Sequence, residues 1–274
     1  MSDRLISMVA TSGPAAVNPD RVAKAMRSYL SADDPEPTVV KDDVEGAGSF
    51  VVSAGAFSVA VIPFPFPIPA ETLSNALGNE LIWRQATDVF AASAGHVLLA
   101  IVDPSSDARE TGDQARLLTV VTAAVLQAAS GAGVFWAPAQ YVIAPDRFVA
   151  EARALTRSSF ASALWFSFRF FPGRDDDQAD KIVCQSTGLE VFLGRELECG
   201  PYDLPPAELA EKVVATARYM ATAGPVFADG HTFGFGEDKK DARLRFRWSP
   251  LGGVNRPVFG LELLSAETPQ KVRP

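Results

Sequence analysis

Histidine and cysteine are both scarce in this sequence, and their scarcity limits the chemistry available to the protein. The chain has 274 residues, of which two are histidine and two are cysteine. Cys184 and Cys199 are too few for a disulfide framework or a zinc site. Each lies in a strand-like run, so we expect two buried, reduced thiols. His96 and His231 are the only candidates for a catalytic imidazole.

The sequence also lacks the short motifs that mark common catalytic sites. It has no G-x-S-x-G turn for a hydrolase nucleophile and no G-x-x-x-x-G-K-[ST] phosphate loop. Neither H-E-x-x-H nor the H-x-E and C-x-x-C pair of the zinc deaminases occurs. We therefore predict that the protein is not an enzyme, with no catalytic residues, no metal ion and no cofactor.

Basic residues are outnumbered by acidic ones, 25 to 33, which gives a formal net charge of −8. A protein that neutralises phosphates needs a cationic surface, so this balance argues against nucleic-acid binding. An acidic surface favours solubility and can attract a basic protein partner over long distances.

No segment has the pattern of a leader or a membrane span. The opening MSDRLISMVATSG lacks a cationic stretch followed by a long apolar one. The longest apolar helical run, residues 117–129, is too short to cross a bilayer. The run SVAVIPFPFPIP carries proline at 63, 65, 67 and 69, which excludes a helix there. We expect a soluble, cytoplasmic protein that makes no contact with a membrane.

Strand and helix patterns follow one another without a regular repeat, which predicts an α+β fold. We expect two sheet-based halves with interspersed helices, residues 1–150 and 151–274, or alternatively one compact unit. In the C-terminal half the strands are expected to be mostly antiparallel. Extended runs are predicted at RLISMVAT, TVVKDDV, SFVVSAG, FSVAVI, HVLLAIVD, AGVFW, QYVIA, ALWFSFRFF, KIVCQST, GLEVFLGRELEC, RLRFRW and PVFGLELL.

Two local expectations are specific enough to test. FSVAVI should end where the prolines begin, since proline cannot donate to a sheet. Thr111 and Gln114 should cap a helix from about residue 113 to 130, with Gly131 closing it.

His96 opens the apolar run HVLLAIVD and has two interpretations. It could be a ligand or a base at the start of a strand. It could equally be a histidine that is hydrogen-bonded at the end of a buried strand. The sequence supplies no charged neighbour that would perturb its titration, so the structural interpretation is favoured.

The segment GPVFADGHTFGFGED, residues 224–238, resembles a phosphate-binding loop only in part. Gly234 and Gly236 have the right spacing, but Lys239 stands where the third glycine belongs and no helix pattern follows. Alternation instead predicts a strand with His231, Phe233 and Phe235 on one buried face and Thr232, Gly234 and Gly236 on a nearly bare one. We expect a hairpin that begins at the turn Asp229-Gly230 and has RLRFRW as its second arm.

Charged side chains cluster in three places in the second half. Arg243, Arg245 and Arg247 alternate along one strand and could hold phosphates or a carboxylate-rich partner, although a solvated strand face is favoured. The acidic run near residue 175 lacks the ligand spacing of a calcium loop. From charge alone, the predicted positions for binding a basic partner are Asp175, Asp176, Asp177, Asp180, Glu237 and Asp238.

Several stretches together resemble a bacterial family described as domain of unknown function 4261. In the second half these are STGLEVFLGRELEC, GPVFADGHTFGFGED and RLRFRWSP; in the first half they are FSVAVIPFPFPIP with HVLLAIVD, and GAGVFWAPAQYVIAP. The resemblance covers roughly residues 50–265. It brings no catalytic residues with it, because the family has none to carry over.

The resemblance implies a function in bacterial competition. Relatives of this kind occur beside polymorphic and type VI secretion toxins, and some look like the immunity partners of those toxins. We therefore expect a cytoplasmic immunity protein that binds and neutralises a cognate, basic toxin, for example a nuclease effector. Two alternatives remain open: an enzyme with a non-standard site near His96, His231 and Asp229, and an accessory or homo-oligomeric protein of a secretion locus.

Overall fold

The chain forms two compact units, Met1–Ser167 and Phe168–Pro274. The structure is a computed structural model, and it describes residues 5–41, 48–77, 83–105, 107–156, 159–173, 180–223, 228–234, 241–251 and 256–264. Helices and two separate sheets make up these residues, so the α+β prediction is confirmed.

The first unit is built on a seven-stranded sheet in the order β2-β3-β4-β5-β1-β6-β7. Its strands are β1 (Ile6–Thr11), β2 (Thr38–Lys41), β3 (Phe50–Ala54), β4 (Phe57–Phe64), β5 (Gly95–Ile101), β6 (Gly131–Trp136) and β7 (Tyr141–Ile143). Every pairing is antiparallel, and β1 lies between β5 and β6. The apolar run of β5 is paired on both edges and packs against α4, and most of its side chains are buried, as its continuous hydrophobicity predicted.

Six helices of the described chain accompany this sheet. They are α1 (Pro19–Met26), α2 (Ala70–Leu77), α3 (Ala86–Ala91), α4 (Ala108–Ala128), α5 (Pro145–Ala154) and α6 (Ser162–Trp165). Helix α4 packs against β1, β5 and β6 and against α1 and α5. Because it is covered on several sides, it is apolar nearly all round.

The predicted start of α4 is wrong by about one turn. The helix begins at Ala108, and its N-cap is Asp107, whose carboxylate accepts hydrogen bonds from two first-turn amides at 2.9 and 3.0 Å. Thr111 and Gln114 lie inside the helix. The Thr111 hydroxyl donates to the Asp107 carbonyl, and the Gln114 amide donates to the Asp103 carbonyl. Both side chains bind the preceding loop, and neither is the cap.

Strand β4 also continues further than the prolines predicted. It runs through Pro63 to Phe64, and Pro63 is paired with Val97 of β5. The neighbouring strand β3 runs antiparallel and does not extend as far as Pro63, because its first residue, Phe50, is paired with Val61 of β4. A proline is tolerated at this position because no second strand needs its missing N–H.

One buried ion pair joins α4 to the loop after α1. The Arg116 guanidinium donates two hydrogen bonds to the Asp34 carboxylate, at 2.6 and 3.1 Å. Only 1% of the Asp34 side chain is exposed, and its carboxylate also accepts from the Ser31 amide at 2.7 Å. Several donors therefore replace the water that this carboxylate loses on burial.

The second unit is built on a six-stranded sheet in the order β11-β12-β13-β10-β9-β8. Its strands are β8 (Ser167–Pro172), β9 (Ile182–Thr187), β10 (Glu196–Tyr202), β11 (Thr232–Phe233), β12 (Ala242–Ser249) and β13 (Arg256–Leu263). The pair β10–β13 is parallel, whereas β9–β10, β11–β12 and β12–β13 are antiparallel. The prediction of mostly antiparallel strands is confirmed.

Two helices accompany the second sheet in the described residues: α7 (Glu190–Leu193) and α8 (Pro206–Ala223). Helix α8 packs against β9 and β10 and buries one stripe of its surface, formed by Leu209, Val213, Ala217 and Met220. Among the described residues, no helix combines the length and the apolar character that a membrane span requires.

Two runs that the sequence predicted as extended each contain a helical turn. Residues 162–165 form α6 before β8 begins, and residues 190–193 form α7 before β10 begins. Gly194 ends α7 with φ +73°, a left-handed conformation that glycine adopts without strain. Apolar composition did not distinguish a short helix from a strand in either run.

Candidate functional site

The second sheet carries a row of four aligned residues across four strands, three of them polar and one a glycine. Gln185 on β9 is paired with Glu198 on β10, Glu198 with Gly260 on β13, and Gly260 with Arg245 on β12. Cross-strand partners point to the same side of a sheet. This side of the sheet, which we call the arginine face, also includes Arg247, two residues after Arg245.

Gly260 leaves a gap in the row that the Arg247 side chain fills. A Cβ atom at position 260 would lie 2.5 Å from Arg247 Nε and 2.9 Å from its Cδ and Cζ. Because glycine has no side chain, the guanidinium crosses β13 and donates from Nη2 to Glu198 Oε1 at 2.8 Å. The conformation of β13 does not require this glycine; the passage of Arg247 does.

Glu198 is the centre of a hydrogen-bonded network on the arginine face. Its second oxygen, Oε2, accepts from Gln185 Nε2 at 2.8 Å, and Gln185 Oε1 in turn accepts from Arg256 Nη2 at 2.6 Å. Glu198 and Gln185 are buried, and the Arg247 side chain is 34% exposed. The Arg247 guanidinium thus pairs directly with the buried carboxylate through a charge-assisted bond, and the Arg256 guanidinium holds the Gln185 amide that donates to the same carboxylate.

The row of arginines is therefore more than a solvated strand face. Arg245 lies 3.4 Å from Glu262 and 3.7 Å from Asp229, and Arg247 is bonded to Glu198. The expectation of a solvated strand face is therefore corrected: the arginines do alternate, but the face is partly buried, and Arg245 and Arg247 are paired with carboxylates.

A second buried carboxylate, Glu196, holds the loop between β9 and α7. It accepts hydrogen bonds from Ser186 Oγ at 2.5 Å and from the amides of Gly188, Leu189 and Glu190 at 2.7, 3.1 and 3.4 Å. The Ser186 hydroxyl in turn accepts from the Leu197 amide at 2.8 Å. One side chain thereby satisfies amides that have no partner within α7.

The opposite side of the sheet is apolar, and we call it the apolar face. Cys184, Cys199, Leu261 and Leu244 form a buried row across β9, β10, β13 and β12. Burial raises the pKa of the thiols of Cys184 and Cys199 to about 12. The expected state, two buried and reduced thiols, agrees with the structure.

Towards one end of β12 the apolar face becomes exposed. Phe259 on β13 is 8% exposed, its neighbour Phe246 on β12 is 41% exposed, and Trp248 is 67% exposed. The Arg195 guanidinium lies 4.9 Å from the centre of the Phe246 ring and 5.7 Å from that of Phe259. We call Arg195, Phe246, Phe259 and Trp248 the aromatic patch.

The predicted hairpin is present where the structure describes it. Thr232 and Phe233 of β11 are paired with Arg243 and Ala242 of β12. The turn that precedes β11 continues along the edge of β12, where the Asp229 carboxylate accepts from the Phe246 amide at 2.8 Å. The predicted burial of His231 is wrong: it is exposed, and its Nδ1 accepts from the Ala228 amide at 3.2 Å, so this histidine shapes the turn. Phe233 is half-buried, and Phe235 lies outside the described residues.

His96 lies in the first unit, at the second residue of β5, and is buried. Its Nδ1 lies 2.7 Å from the Phe66 carbonyl oxygen, and its ring stacks on Phe64 with centroids 4.9 Å apart. These contacts fit the favoured interpretation of a histidine hydrogen-bonded at the end of a buried strand.

The predicted partner-binding positions are mostly beyond what the structure describes. Asp175, Asp176, Asp177, Glu237 and Asp238 lie outside the described residues, and their role stays a prediction. Asp180 is described and is exposed in the turn before β9. In the described part of the chain, no three His, Cys, Asp or Glu side chains form a group that could hold a metal ion.

The match with a known family covers this part of the second unit. Residues 185–247 match the family described as Domain of unknown function (DUF4261). The match begins at Gln185 and ends at Arg247, so it contains both buried carboxylates and most of the hairpin. It supports the domain family that the sequence resemblance indicated. No curated protein and no solved structure matches the chain.

The sequence did not single out the buried carboxylates or the aromatic patch. Glu196 and Glu198 stand in the run RELEC, where alternation with Leu197 and Cys199 could have placed both on one side of a strand. The alternation of RLRFRW did place Phe246 and Trp248 together. Their exposure could not be predicted, because a large apolar side chain in a strand is normally buried.

Proposed function

We propose that this protein is a cytoplasmic immunity protein that binds and neutralises a cognate antibacterial toxin by direct contact. One observation supports a binding role above the others, namely the exposure of Phe246 and Trp248 on the second sheet. Tryptophan, aromatic residues and arginine are the side chains that most often dominate protein–protein binding. In the aromatic patch they are held together on a rigid sheet.

The size of the exposed apolar surface favours a protein partner over a small molecule. A tryptophan side chain can bury up to roughly 250 Å², so about two thirds of that area is open at Trp248 alone. The patch is an open strand face flanked by an arginine, which suits a partner surface of matching shape.

The charged groups at the centre of the second unit support the same proposal. Glu196 is bonded to four donors, and Glu198 is bonded to Arg247 and Gln185. Carboxylates saturated in this way hold a surface rigid, and a rigid surface loses little entropy when it binds.

The net charge of −8 and the family resemblance support the identity of the partner. A nuclease toxin must carry a basic surface to hold nucleic acid, and an acidic inhibitor would be attracted to that surface. The six acidic positions predicted from sequence are the first candidates for this steering, and Asp180 is exposed as the role requires.

A growth-rescue experiment tests the proposal. The gene next to the gene for this protein, as the candidate toxin gene, is expressed from an inducible promoter, with and without this protein, and growth and complex formation are measured. We expect full rescue and co-purification of the two proteins. Continued killing in the presence of excess folded protein would reject the immunity function.

A further inference from the structure

We draw no further inference here: the strongest candidate, the aromatic patch around Phe246 and Trp248 towards the end of β12, is an apolar face for which nothing in the described part of the chain shows what covers it.

Discussion

Removal of the Glu196 carboxylate is the most informative perturbation of the second unit. Glu196 is buried, with 3% of its surface exposed, and it accepts four hydrogen bonds from the segment 186–190. In Glu196→Ala the Ser186 hydroxyl and three amides lose their acceptor. A hydrogen bond to a charged group contributes about 1.5–3 kcal/mol, and the four bonds share one acceptor, so their effects are not additive.

We expect Glu196→Ala to lower the free energy of unfolding by about 3–5 kcal/mol, the range for losing one partner of a buried charged network. For a unit of this size, that loss lowers Tm by roughly 10–20 °C. The measurement is differential scanning calorimetry of the full chain, supported by urea unfolding followed by circular dichroism. Glu196→Gln keeps the shape of the side chain but turns an amide NH2 towards the donors, so it should also destabilise, by a smaller amount.

The matched control is Glu208→Ala on α8. That carboxylate is 45% exposed and lies 3.5 Å from Lys212 four residues later, a surface pair worth less than about 0.5 kcal/mol. The free energies of unfolding of both Glu196 variants are compared with that of this control. If they lie within about 1 kcal/mol of it, the carboxylate does not hold the loop and our reasoning about Glu196 is wrong.

Three further predictions concern burial. Arg116→Ala should lower the free energy of unfolding by about 3–5 kcal/mol in urea, because it leaves the Asp34 carboxylate buried without its guanidinium; a loss below about 1 kcal/mol would contradict this. Gly95→Ala should lower the free energy of unfolding by about 1–3 kcal/mol in thermal melts, since the new Cβ would lie 2.9 Å from the Ala15 amide nitrogen and the Phe64 carbonyl oxygen. An unchanged Tm would show that these two backbone segments move apart without cost. Cys184 and Cys199, with pKa values of about 12, should react with iodoacetamide at pH 8 roughly 1,000-fold more slowly than in urea. Because burial raises the pKa values of both thiols above the ordinary 9.0, only the unfolded chain ionises them above pH 9, and the free energy of unfolding should fall as the pH rises further. Equal rates of iodoacetamide labelling in the folded and urea-unfolded protein would refute the burial of these thiols.

The same thiols illustrate how far composition alone can be used. Two cysteines in strand-like runs predicted buried and reduced side chains, and Cys184 and Cys199 are paired across β9 and β10 in the core. The sequence contained the periodicity of each strand but no information on which strands become neighbours. Their alignment in one row with Leu244 and Leu261 depends on pairings over long separations in the chain.

Local patterns determined most of the elements of this protein and the α+β class. Alternation of apolar residues, proline and glycine positions and the turn Asp229-Gly230 act over a few residues, so they are visible in the sequence. Local patterns were insufficient where a short segment could be either helix or strand. At residues 162–165 and 190–193 packing with the rest of the unit decided the conformation, and the sequence predicted the wrong one.

Only the tertiary structure decided which side chains form the candidate site. In the sequence, Glu198 lies 49 residues before Arg247, and the two meet over Gly260 because β10, β13 and β12 are adjacent in the sheet. The exposure of Trp248 is likewise a property of the fold. A sequence specifies which face of a strand a residue occupies through its period of two, whereas the neighbours of that face are set by strand order and by where each strand ends.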